Sequence, residues 1–202
     1  MRVIGITGGV GSGKSYVAHH LQELLGTELL IADELGHIVM EPEKPAYRQI
    51  VDTFGNKILD REAKIDREVL AKIIFEDSTA RESLNCIIHP AVMQYIKQYI
   101  KDRRDDEGLI LLETAIMYET GCDKLCDEVW LVAVPCEERI RRLQNDRGYS
   151  REKTEAIMRS QMPEEKVRKR ATRIIDNTGD ITALEEQLQL LASSHLNTET
   201  FS

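Results

Sequence analysis

The chain has 202 residues, of which 42% are hydrophobic and 31% charged, with a formal net charge of −8. That length suits one compact domain with room for a subdomain. The acidic balance excludes a broad basic nucleic-acid surface, and no apolar run approaches the ~18 residues of a membrane-spanning helix.

The first residues enter a strand without the basic, apolar and small-residue order of a signal peptide, so a cytoplasmic protein is expected. Cys86, Cys122, Cys126 and Cys136 show neither a disulfide framework nor a zinc spacing. Buried or half-buried thiols in a reducing compartment are expected instead.

In chain order, "RVIGIT" (2–7) is a short apolar run that predicts a strand buried on both faces. It runs into "GGVGSGKS", where Gly8, Gly13, Lys14 and Ser15 satisfy the GxxxxGK(S/T) spacing of a phosphate-binding loop. Glycines there let backbone N–H groups approach a phosphate. Lys14 is placed to reach the β and γ phosphates, Ser15 to ligate Mg²⁺, and the following helix adds its positive end. Residues 15–25 carry a helical apolar pattern closed by Gly26, and "ELLIA" (28–32) predicts a second strand.

Asp33 follows that strand. A carboxylate at such a strand end faces the crevice where ligands of α/β sheets sit, and it can orient or deprotonate an attacking hydroxyl. It is equally suited to capping a helix over "ELGHIVM". "DELG" (33–36) and "NKILD" (56–60) imitate the motifs of a GTPase switch. Leu59, however, stands where guanine recognition needs a carboxylate, and Asp33 comes too soon after Lys14 to leave room for a switch segment.

From Asp33 to Arg104 the chain reads as successive helices, 46–55, 67–75, 78–88 and 90–104, punctuated by Pro42, Pro45, Gly55 and Pro90. This is far longer than a usual crossover. It reads either as an insertion carrying substrate specificity or as a structural cap. "LILLE" (109–113), "EVWLVAV" (128–134) and "RII" (173–175) complete five strands, and Glu113 brings a second carboxylate to a strand end. That carboxylate suits a Mg²⁺-bound water, an acceptor, or simply a surface loop.

Between the fourth and fifth strands, 136–171 is the one strongly basic stretch, suited to a solvated helix face or to the lid of a nucleotide kinase. A last helix over 182–193 opens with "TALE", a capping-box pattern, and the polar tail beyond His195 reads as frayed.

Taken together, "GITGGVGSGKS", "IAD", "FG" (54–55), "IDREVLAKIIF" (65–75), "IIHPAV" (87–92), "SQMPEEK" (160–166) and "IIDNTGD" (174–180) form an ordered set. In order and spacing, over roughly residues 3–180, the chain resembles the dephospho-CoA kinase family. The resemblance implies a three-layer α/β P-loop NTPase domain with a five-stranded parallel sheet, a helical substrate-binding insertion and a lid. The core would span about 1–40, 106–135 and 172–195, the insertion about 41–105 and the lid about 136–171.

It also implies transfer of the ATP γ-phosphoryl, with Mg²⁺, to the ribose 3′-hydroxyl of dephospho-CoA. Asp33 matches the activating acid, and Arg142 a lid arginine. Gly11, Ser12, Gly13, Lys14, Ser15 and Tyr16 match the ATP loop, and Asn177 and Gly179 an adenine-side loop. Arg67 and His89 match residues over the acceptor, although His89 also reads as a helix-start residue before Pro90. Four features depart from the family pattern. Ile31 stands where a second acid is usual, Glu113 and Ala115 replace an Asp and a Pro, Asp146–Arg147 reverses Arg-Asp, and Thr172 replaces an Asp. Kinases of other small acceptors, such as a nucleoside or nucleotide, share all the ATP-side residues; a GTPase-type switch is the more distant alternative.

Overall fold

The structure, a computed structural model, describes residues 1–103 and 107–199. Five parallel strands, β1 (Arg2–Thr7), β2 (Glu28–Ile31), β3 (Leu109–Glu113), β4 (Glu128–Ala133) and β5 (Arg173–Asp176), form one sheet in the order β2-β3-β1-β4-β5. All five expected strands are present, each shifted by no more than one residue at its end. Parallel neighbours require crossovers, and helices α1 (Lys14–Leu25), α6 (Cys136–Arg147), α7 (Arg151–Ser160), α8 (Glu164–Arg168) and α9 (Ile181–Glu199) accompany the strands.

The apolar strand runs are explained by burial on both faces. On one face Ile4, Ile6, Leu111, Trp130, Val132 and Ile175 pack with Val17, Ala18 and Leu21 of α1 and Leu184 and Leu188 of α9. On the other, Leu131 and Ala133 meet Val167 of α8, with Tyr118, Met162 and Ala171 against them. Burial of aliphatic side chains at this density, worth about 1.5–3 kcal/mol each, is what holds the sheet to its helices. Thr172 has a local role: its N–H donates to the Val129 carbonyl at 2.7 Å and its hydroxyl accepts from Val129 N–H at 3.0 Å. It therefore zips β5 to β4.

By contact density the chain divides into two compact units, Met1–Ile31 with Asp106–Ser202, and Ala32–Asp105. The second contains α2 (Ala32–Ile38), α3 (Pro45–Phe54), α4 (Arg67–Glu76) and α5 (Ser78–Asp102), around a core that includes Leu35, Ile50, Leu70, Leu84 and Ile96. Its helix starts are written in acids. Asp66 accepts from the N–H groups of Glu68 and Val69 at 3.0 and 3.1 Å, and Asp77 from those of Thr79 and Ala80 at 2.8 and 3.2 Å. Asp60 of "NKILD" accepts from the N–H groups of Glu62 and Lys64 at 2.8 and 2.9 Å, organising a turn.

Four local expectations are corrected. The helices expected on either side of Pro90 are one helix, α5, with Pro90 inside it, so His89 is not a helix-start residue. Proline removes the N–H that would reach the Cys86 carbonyl, and Cys86 and Pro90 are both exposed, so the missing bond falls on an exposed stretch of the helix. Asp33 lies in the first turn of α2 rather than capping it.

The capping box at Thr182 does not form. α9 begins one residue earlier, Asp180 accepts from Ala183 N–H at 2.9 Å, and Glu185 accepts from the Tyr16 hydroxyl at 2.7 Å. Of the thiols, Cys122 is buried and Cys126 half-buried, but Cys86 and Cys136 are exposed. The backbone of α9 continues to Glu199. Arg104, the expected end of the helix at 90–104, and residues 200–202 of the expected frayed tail lie outside the described residues.

Candidate active site

The phosphate-binding loop joins β1 to α1, and α1 begins at Lys14 itself, so the loop delivers its glycines to a helix N-terminus. Gly13 caps α1 in the left-handed region, with φ 80. A Cβ there would meet the Asn177 side-chain amide at 2.4 Å, so geometry and space both require glycine. The Asn177 amide in turn donates to the Ser12 carbonyl at 2.8 Å, tying the segment after β5 to the loop.

The loop forms one side of a groove of about 390 Å³. Gly11, Gly13, Lys14, Ser15, Tyr16, Arg142, Asn177 and Gly179 all line it, so most of the expected ATP-side residues share one site. Ser12 is 1% exposed and serves the loop through its backbone. Arg142 is oriented from both ends: its Nε donates to Glu138 Oε1 at 2.9 Å and its Nη2 to the Asn177 carbonyl at 2.8 Å. Hydrogen bonds from Arg141 and Arg142 push Glu138 down to about 2, so this carboxylate stays ionised at any working pH. Asp146 and Arg147, the reversed pair, both line the groove as well.

Glu113 is not a surface-loop residue. It is 3% exposed at the end of β3, with Oε2 accepting from the Ser15 hydroxyl at 3.2 Å and Oε1 at 3.6 Å from Lys14 Nζ. The parallel register sets it opposite Ile6 of β1 and Ile31 of β2. A buried carboxylate beside a serine hydroxyl is an oxygen donor set suited to a hard divalent cation.

Asp33, Arg67 and His89 belong to the other unit. Asp33 is exposed, two residues beyond the end of β2. Arg67 opens α4 immediately after the Asp66 cap and lines a cavity of about 750 Å³ with His37, Lys64 and Asp66. His89 is half-buried in α5, and burial alone pulls its pKa below the usual histidine value.

Sequence reasoning passed over Glu138, which holds Arg142, and Arg139 and Gln161, which both reach Val10 of the loop. For Glu138 and Arg139 a signal was present, since residues three and four apart on a helix share a face with Arg142. Gln161 lies in the "SQMPEEK" motif, but nothing in its local spacing points to the loop.

A model of the dephospho-CoA kinase family matches residues 2–183. A dephospho-CoA kinase of Carboxydothermus hydrogenoformans is 40% identical over 188 residues, covering 92% of this chain and 90% of that protein. The chain belongs to the dephospho-CoA kinase family.

Among solved structures, the TT1252 protein of Thermus thermophilus superposes with a TM-score of 0.74 at 34% identity, covering 96% of this chain and 97% of that one. A dephospho-CoA kinase from Campylobacter jejuni superposes with a TM-score of 0.73 at 24% identity over the whole of both chains, which speaks for the fold. As a dephospho-CoA kinase family member, the protein is an enzyme, a kinase with the α/β P-loop fold that uses ATP to phosphorylate dephospho-CoA to CoA. Among the described residues no helix is long and apolar enough to cross a membrane.

Proposed function

We propose that this cytoplasmic enzyme transfers the ATP γ-phosphoryl to the ribose 3′-hydroxyl of dephospho-CoA, with the residues of the groove carrying the charge. The observation that supports this reading is the convergence of Lys14, Ser15, Arg142 and Arg147 on one groove at the N-terminus of α1. In this reading the loop glycines and Lys14 hold the phosphates, and Asn177 and Gly179 border the base side.

Ser15, with Glu113 behind it, would hold Mg²⁺, which when bound neutralises phosphate charge. Lys14 keeps a carboxylate partner between turnovers and exchanges it for phosphate oxygens. Arg142 is preset by Glu138 and Asn177, so it meets the transferring group without first losing side-chain freedom. Asp33 orients and deprotonates the acceptor hydroxyl, as a base following a strand of the sheet.

The unit formed by residues 32–105 carries acceptor specificity, with Arg67 available to an anionic group and His89, neutral at pH 7, to a hydrogen bond. The segment 136–171 acts as a lid that excludes water. The test is ADP release from ATP and Mg²⁺ with dephospho-CoA or with nucleoside monophosphates as acceptor. Stimulation by dephospho-CoA alone is expected, with the new phosphate on the 3′-oxygen by NMR. Equal stimulation by nucleoside monophosphates would overturn the acceptor assignment.

A further inference from the structure

The middle of the phosphate-binding loop is held from outside by two side chains that the reaction as proposed leaves without a role. Arg139 of α6 donates from Nε to the Val10 carbonyl at 2.9 Å. Val10 N–H donates to Oε1 of Gln161, the residue that closes α7, at 3.0 Å. Arg139 is 7% exposed, and its Nη1 lies 3.6 Å from Oε2 of Glu164, the first residue of α8. Its guanidinium fills the space over Gly9, where a Cβ would fall 2.1 Å from Nη2. We infer that Arg139 and Gln161 are positioning residues for the ATP loop, fixing the two peptide planes that flank Val10 and tying them to the α7–α8 segment.

The argument rests on peptide planarity. The Val10 carbonyl shares a rigid trans plane with Gly11 N–H, so the Arg139 bond sets the direction of an N–H in a residue lining the nucleotide groove. Val10 N–H shares its plane with the Gly9 carbonyl, which accepts from Ser12 N–H at 3.1 Å, so the Gln161 bond supports the loop's own turn. Glycine-rich backbone is conformationally free, and a phosphate cradle works only when its N–H groups are aimed before the ligand arrives.

The choice of residue at 139 points the same way. Burial pushes the Arg139 pKa down, and one carboxylate at 3.6 Å is modest compensation. An apolar side chain would fill such a site without the desolvation penalty, so a buried guanidinium here acts through direction more than through stability. Because Gln161 and Glu164 bracket the turn between α7 and α8, movement of that turn is transmitted to the loop through the same bonds.

The inference rests on the reading of the groove as the ATP site, so the readout is ATP affinity of the enzyme without acceptor, by calorimetry with Mg²⁺. Arg139→Lys keeps a cation for Glu164 but loses the planar Nε–H, and Gln161→Met loses the acceptor. Each is expected to weaken ATP about tenfold, as one lost hydrogen bond does, with KM for dephospho-CoA changed by less than about twofold. The double variant should bind ATP about as weakly as the poorer single one, because both bonds serve one loop segment.

Wild-type affinity in folded single variants, or additive losses, would overturn the inference. So would a loss of ATP binding matched by a fall in Tm of more than about 5 °C, the size of a general folding defect. If Arg139→Lys does not fold, Gln161→Met alone decides: unchanged ATP affinity overturns the inference and a tenfold loss supports it. A wild-type enzyme that binds no ATP would sink the nucleotide reading and this inference together. One that binds ATP but uses a different acceptor would sink only the acceptor.

Discussion

Asp33, Glu113 and His89 show how differently three titratable side chains are set by their surroundings. Asp33 is exposed and follows β2, so its proposed role is tested without disturbing a core. Asp33→Asn is expected to lower kcat by roughly 10²–10⁴, the range of general-base catalysis, while ATP affinity by calorimetry stays within about twofold. Full turnover in that variant would remove Asp33 from the mechanism.

His89 gives a pH dependence with a definite sign. Its pKa is lowered by burial, so on acidification the unfolded chain takes up a proton that the folded protein resists. The stability contribution is complete above the unfolded value of about 6.5 and is lost as pH falls through and below it. Thermal unfolding from pH 8 to pH 5 should therefore show a smaller decline in His89→Asn than in the wild type. Glu113 was legible as a carboxylate at a strand end. That it is buried against Lys14 and Ser15 depends on the β1-β3 register, which no local pattern encodes.

At the scale of elements, apolar runs and glycine stops located the strands and α1 well, because a two-sided parallel sheet demands continuous hydrophobicity. Helix boundaries were less legible where local chemistry offers two answers. "TALE" is a sound capping box by composition, yet Asp180 caps α9 and Glu185 binds Tyr16, leaving the tyrosine beside the groove with its pKa raised by that hydrogen bond. Pro90 is a strong break signal, yet α5 passes through it, because Leu84, Val92 and Ile96 on either side are buried in the same core. Tertiary packing outweighs one missing hydrogen bond. Pro90→Ala should restore that bond and stabilise the protein by about 1–3 kcal/mol, visible as a higher urea midpoint with an unchanged m-value. A lower midpoint would show that the proline ring itself is packed to advantage.

For the whole molecule, ligand linkage gives the broadest test of the ATP site. A nucleotide that binds only the folded state at about 100 times its Kd stabilises it by ~2.7 kcal/mol, which for a chain of this size raises Tm by several degrees. ATP with Mg²⁺ should do so for the wild type, and Lys14→Ala should lose most of the shift, read against its own ligand-free Tm, which loss of the cation beside the buried Glu113 carboxylate is expected to lower. An undiminished shift would mean that Lys14 is not a phosphate ligand.

The division of the molecule follows the same logic. By itself the sequence determined the phosphate-binding loop, the five strands, the helical character of residues 33–103 and the family, because each is a matter of residue type at fixed local spacing. Only the tertiary structure decided that Glu113 meets Lys14 and Ser15, that Asn177 leaves no room for a Cβ at Gly13, and that Arg139 and Gln161 grip Val10. Those contacts join side chains far apart in the chain, and they exist only once the sheet's strand order and the packing of its helices bring the segments together.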